Sequence, residues 1–171
     1  MNRAPGHPVT SYVLCTDPAS RLLIVQAAGV GTWRLPGGVV EVGESPLDTV
    51  RREAREELGL KLDLLADDLL GVEWVQARRE GARDRIVFLW AGPMLSSADT
   101  DQIVLQPREL VAWRWAGPDD ARRLLHPSVA ARIRTPLHWP GNVAYQETRT
   151  ERAARHDGGR VPRQDAADRH P

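Results

Sequence analysis

The segment GVVEVGESPLDTVRREAREELGL, running from Gly38 to Leu60, constrains this chain more than any other stretch. Glu44 stands six residues after Gly38, followed by Arg52-Glu53, Glu56-Glu57 and Gly59-Leu60. Written out, the pattern is G-x5-E-x7-R-E-U-x-E-E-x-G-U, with Ala54 and Leu60 at the apolar U positions. Its fixed identities coincide by chance on the order of 10⁻⁹ per start position. The local signals describe a loop that becomes a helix. Ser45 is a good N-cap, Pro46 suits the first helical position, and Asp48 places a negative charge in the first turn. Gly59 suits the residue that ends a helix after Leu58. The predicted helix is Pro46–Leu58.

At about 100° per residue the side chains of that helix sort into three arcs. Leu47, Val50, Ala54 and Leu58 form an apolar stripe that must face a core. Arg51, Arg52 and Arg55 form a basic arc, and Glu53, Glu56 and Glu57 an acidic one, with Glu57 at the apolar border. Like charges at i,i+3 and i,i+4 disfavour a helix by roughly 0.2–0.5 kcal/mol per pair. These glutamates also sit in the C-terminal half, where the helix dipole disfavours anions. Neighbouring arginines offset part of that cost. A divalent cation offsets more, and hard oxygen ligands of this kind suit Mg²⁺ or Mn²⁺. The pair Gly37-Gly38 lets a backbone carbonyl approach an ion or phosphate closely.

The pattern resembles the Nudix box, with no required position departing from it, and WRLPGG just ahead is a common lead-in to that box. The resemblance implies an α/β fold: an α/β/α sandwich whose central mixed β-sheet carries the box as loop–helix–loop. It implies a divalent-metal-dependent hydrolase of nucleoside diphosphates linked to a group X, of the MutT-like type. Position by position, Glu53, Glu56 and Glu57 would be ligands of Mg²⁺ (or Mn²⁺ as a substitute), with the carbonyl of Gly38 or Gly37 contributing. Arg52 would hold a catalytic carboxylate by a charge-assisted pair. Glu44 would bind through water, order the loop or pair with Arg52. Water would attack one phosphorus and a glutamate would take its proton, Glu53 in the first place, with Glu109 of QPRELVAWRW a candidate from outside the box.

Length and charge set the remaining bounds. A chain of 171 residues suits one domain with a modest appendage. Its 23 basic and 23 acidic residues balance, so no global field draws it toward nucleic acid or membranes. The single cysteine, Cys15, excludes an internal disulfide and a cysteine-based zinc cluster. Neither a membrane-spanning apolar run nor a signal-peptide core is seen, and the expected location is cytoplasmic. Dimers are frequent among the proteins it resembles, so a homodimer is an open expectation.

Along the chain, residues 1–8 read as a flexible start, 9–145 as the folded domain and 146–171 as a disordered tail. That tail holds six arginines, five acids and a single large aliphatic residue, Val161, too little apolar surface to offset ordering entropy. Val9–Leu14 and Leu22–Gln26 read as a hairpin joined by TDPASR, and Trp33–Leu35 as a short strand. Beyond the box, strands are expected at Leu60–Leu65, Leu69–Ala77, Ile86–Ala91 and Leu110–Trp115. A helix is expected at Asp119–Leu125, with helical turns over His126–Ile133.

Substrate choice must be read mostly from what is missing. The proline about fifteen residues past the box that marks ADP-ribose hydrolases is lacking, as are the arrays linked to NADH and coenzyme A hydrolases. These absences favour a (d)NTP pyrophosphohydrolase. The alternatives are an ADP-ribose or nucleotide-sugar pyrophosphatase, or a nucleotide-sensing module that does not hydrolyse. An isomerase-like relative would need a pocket cysteine, whereas Cys15 lies in a strand-like apolar run. Arg34, Glu41 and Arg85 are the candidate contacts to the nucleotide, Arg21 is a further one to phosphate, and Trp74 or Tyr12 could stack on a base. Trp113 and Trp115 share a strand face and read as core or interface aromatics.

Overall fold

The computed structural model describes residues 6–133 and 143–148. Among these residues, eight strands form one mixed sheet. They are β1 (Val9–Thr16), β2 (Leu22–Ala27), β3 (Trp33–Arg34), β4 (Gly37–Val39), β5 (Leu69–Val75), β6 (Arg85–Met94), β7 (Leu110–Ala116) and β8 (Ala144–Thr148). The main path runs β3-β2-β1-β6-β5-β8, with β4 paired to β1 and β7 to β2. β1 lies parallel to β6 and β5 parallel to β8, and the other pairs are antiparallel. The helices are α1 (Pro46–Leu58), α2 (Ser97–Thr100), α3 (Pro118–Leu124) and α4 (Pro127–Arg132).

Alternation along β1 and β2 makes the sheet two-faced. Val13 and Cys15 of β1, with Leu23 and Val25 of β2, bury against Val50, Ala54 and Leu58 of α1. Leu14, Leu22 and Ile24 point the other way, into a second core closed by Ala121, Leu125 and Ala130 at the α3–α4 end of the fold. The result is the expected sandwich. Burial pushes the Cys15 thiol up to about 12, so it sits in the core as an inert small hydrophobe.

Helix α1 has the predicted bounds, for the predicted reasons. The Ser45 hydroxyl accepts from the Asp48 N–H while the Asp48 carboxylate accepts from the Ser45 N–H, a closed capping box. At the other end Gly59 takes a left-handed φ of 71°, and the N–H groups of Gly59 and Leu60 return to the carbonyls of Arg55 and Ala54. Ser11 pins the helix to the sheet: its buried hydroxyl donates to the Pro46 carbonyl (2.6 Å) and accepts from Trp90 Nε1 (2.8 Å).

Several details differ from expectation. Residues 60–65 form no strand; Leu60, Leu62 and Leu64 alternate into the core, but no ladder pairs them. The alternation reflected burial alone. β1 and β2 meet only at Thr16↔Leu22 and then diverge, because β4 and β6 take the edges of β1 while β3 and β7 take those of β2. The boundary drawn from composition at Gln146 falls inside β8, whereas 149–171, like 1–5, lie outside the described residues.

Candidate active site

The loop from β3 to β4 and the exposed arc of α1 meet in an open cleft. Tyr12, Arg34, Gly38, Glu41, Glu53 and Glu109 are among its walls, and its volume is about 550 Å³. Carboxylate oxygens of Glu53 and Glu109 lie within 4.8 Å of each other and of the buried Glu57. Glu53 and Glu57 come from α1 one turn apart. Glu109 arrives from the turn ahead of β7, whose backbone is tied to the β2–β3 loop by the Ala28 N–H donating to the Glu109 carbonyl (2.8 Å).

The two glycines do different work. Val40 N–H donates to Val9 and Val13 N–H to Pro36, so the alternating ladder places Gly38 in a hydrogen-bonded pair with Ser11. Gly37, at φ 134°, is turned the other way: its N–H donates to Glu57 Oε2 (2.9 Å) and its carbonyl accepts from Arg34 (2.6 Å). Of the two carbonyls, that of Gly37 therefore faces the carboxylates. Gly38 contributes space, since a Cβ there would overlap the Glu53 carboxylate. A Cβ at Gly37 would collide with the Ser11 carbonyl.

Electrostatics divide the glutamates. Glu57 is fully buried yet bonded to Arg34 and the Gly37 N–H. Burial dominates and pushes its carboxyl up to about 7, with Arg34 and Gly37 opposing and Glu53 adding to the rise. Desolvation also raises Glu53, against Arg52, while Glu56 and Glu109 push the same way. Glu44 is the opposite case. The Arg52 guanidinium binds both its oxygens (2.7 and 3.1 Å) and Thr49 donates to it (2.9 Å), holding it at about 2.

Arg52 is the hub of this arrangement. Besides Glu44 it reaches Glu53 (3.1 Å), Glu56 (2.8 Å) and the Val39 carbonyl (3.3 Å). Glu56 thus lines the cleft from its rim, paired to Arg52, and stands outside the three-carboxylate cluster. Glu41 is a mostly exposed wall residue 4.0 Å from Arg52. Arg34, expected to meet substrate phosphate, clamps Glu57 and the Gly37 carbonyl. Arg85 is not brought to this cleft; it lines a separate cavity with His126. Trp74 stacks edge-on with His7 (4.7 Å), Arg21 is bound to Asp17, and Trp113 and Trp115 pack on each other and on the core. Thr49 and Ser11 escaped the sequence reading, because a hydroxyl on an apolar face carries no sign of its partner.

A model of the NUDIX domain matches residues 6–139. The chain belongs to the Nudix family. Among Nudix relatives, a MutT-like protein of Streptomyces ambofaciens is 41% identical over 68 residues, covering 40% of this chain but 43% of that protein. An asymmetrical bis(5′-nucleosyl)-tetraphosphatase of Sus scrofa is 34% identical over 115 residues, covering 63% of this chain and 71% of that protein. The fold matches the crystal structure of a MutT protein from Methanosarcina mazei with a TM-score of 0.60 at 19% identity, over 77% of this chain and 95% of that one. The Nudix hydrolases are enzymes acting on phosphoric anhydrides. No helix among the described residues is long and apolar enough to cross a membrane.

Proposed function

We propose that this Nudix hydrolase cleaves a phosphoric anhydride in a nucleoside polyphosphate, (d)NTPs first, with Mg²⁺ or Mn²⁺. The observation that carries this reading is the convergence of the carboxylates of Glu53 and Glu109, on the wall of an open cleft with Gly37 and Gly38, with that of the buried Glu57. Three carboxylates this close repel one another unless a cation joins them, and oxygen donors suit a hard ion. The missing Cβ at Gly38 is what lets Glu53 into position. Glu53, Glu57 and Glu109, with the carbonyl of Gly37, are the proposed ligands. Glu56, at the rim, is an outer partner. Such an ion supplies polarisation of phosphoryl oxygens and acidification of the attacking water.

The protein's own groups do the rest. Glu53 accepts the water proton, with Glu109 the competing acceptor. Arg52 orients Glu53 and Glu56, and Glu44 holds Arg52 in turn. Tyr12 and Glu41, on the cleft wall, would meet the nucleoside. The pig relative's name favours a second reading, a dinucleoside tetraphosphate cut asymmetrically.

A panel of dNTPs (with oxidised forms), NTPs, ADP-ribose, nucleotide sugars, NADH and dinucleoside polyphosphates tests both, with Mg²⁺ and with Mn²⁺. Release of pyrophosphate from a triphosphate is the expected result. Turnover confined to ADP-ribose or a nucleotide sugar would replace the substrate class. Tight nucleotide binding without product in either metal would mark a sensing module instead.

A further inference from the structure

A second cavity, of about 290 Å³, opens where the β5–β6 hairpin meets the α3–α4 connection, lined by Arg78, Arg79, Arg83, Arg85, Val75 and His126 among others. Its frame is tied down from three sides. The Asp84 carboxylate accepts from the Ala77 N–H across the hairpin (2.8 Å), and Arg83 donates to the Gly6 carbonyl (3.1 Å). The bridge between Trp33 and Leu125 fixes the chain next to His126.

Four arginines thus line one small opening in a chain with no net charge, on a hairpin that also carries Glu80 and Asp84. None of the four forms an ion pair with a carboxylate among the described residues, whereas Arg21, Arg34, Arg52 and Arg114 all do. Asp84 spends an oxygen on the Ala77 N–H. Burial, then the charges of Arg78 and Arg85, hold His126 below its ordinary value. Like charges gathered on one hairpin repel, and an anion between them relieves that cost. Guanidinium forks match phosphate oxygens two at a time. The size, at the bottom of the ~300–1,000 Å³ range of small-molecule sites, suits a small anion better than a whole nucleotide.

We propose that this cavity binds a phosphate-bearing anion of one or two phosphate groups, at a site separate from the carboxylate cleft. Arg78 and Arg85 are its principal contacts, with Arg79 and Arg83 at its rim. The inference stands without the catalytic reading, because it concerns other residues and needs no divalent ion.

The test is a titration of the full chain in EDTA with inorganic pyrophosphate, followed by amide NMR, with sodium chloride at matched ionic strength as control. Saturable shifts confined to residues 75–85 and around His126 are expected. Arg78→Ala and Arg85→Ala should each weaken binding about tenfold, and Arg→Lys variants, which keep charge but lose the fork, should recover only part. AMP in a parallel titration separates the sources: tighter pyrophosphate means a free anion, tighter AMP the phosphate of a nucleotide. Shifts that chloride reproduces, that never saturate, or that centre on Glu53 and Glu57 would each overturn the site. So would unaltered affinity in the double arginine-to-alanine variant, checked as folded by circular dichroism.

Discussion

Glu57 is the residue on which most converges: fully buried, bonded to Arg34 and Gly37, and held by desolvation at about 7. Glu57→Gln keeps the shape and hydrogen-bonding capacity but removes the charge a cation needs. Turnover should fall on the order of 10³-fold, several kcal/mol of charge stabilisation, with the circular dichroism spectrum unchanged. Wild-type turnover with the same metal requirement would refute the assignment. Gly38→Ala probes the same place from the backbone. The new Cβ must displace the Glu53 carboxylate, so kcat should drop well before the fold does. Equal kcat in both proteins, measured at saturating Mg²⁺, would remove Glu53 from the chemistry.

Helix α1 depends on its two ends and on Arg52. Ser45→Ala opens the capping box and should cost about 1 kcal/mol, read as a lower urea midpoint at constant m-value. Glu44 carries the pH dependence of this element. Its folded pKa, about 2, lies below the ordinary 4.5, chiefly through Arg52. The resulting stability is complete above pH 4.5 and lost as pH falls toward 2. Glu44→Gln should therefore lower stability near neutral pH and flatten the acid limb of a pH–stability curve. An acid limb of unchanged slope would mean that Glu44 and Arg52 are paired in the unfolded chain as well.

For the whole molecule, metal binding and folding should be linked, because the proposed ligands come from α1 and from the turn ahead of β7, about fifty residues further along. Any ion that binds the folded protein alone stabilises it by mass action, about 2.7 kcal/mol at a hundredfold excess over Kd. Mn²⁺ should raise the melting temperature of EDTA-stripped protein, and Glu53→Gln or Glu109→Gln should shrink the rise. An undiminished rise in Glu109→Gln would leave the site to the box alone. Much of this was legible in the sequence. The helix bounds, the existence of the strands β1 and β2, and the acidic arc all follow from local rules: capping, β-propensity and the 3.6-residue turn act within a few residues. Other features were not legible. Leu60–Leu65 alternate like a strand but lack a partner, and a partner is a property of the fold. The separation of Glu56 from Glu53 and Glu57, the turning of the Gly37 carbonyl toward the site, the clamp of Arg34 on Glu57 and the removal of Arg85 to a second cavity all depend on distant segments. The sequence by itself determined the family motif and its acidic arc, because those residues lie within one loop and one helix. Only the tertiary structure decided which carboxylates meet and which arginines stand apart, because those distances are set by strand pairing between residues far apart in the chain.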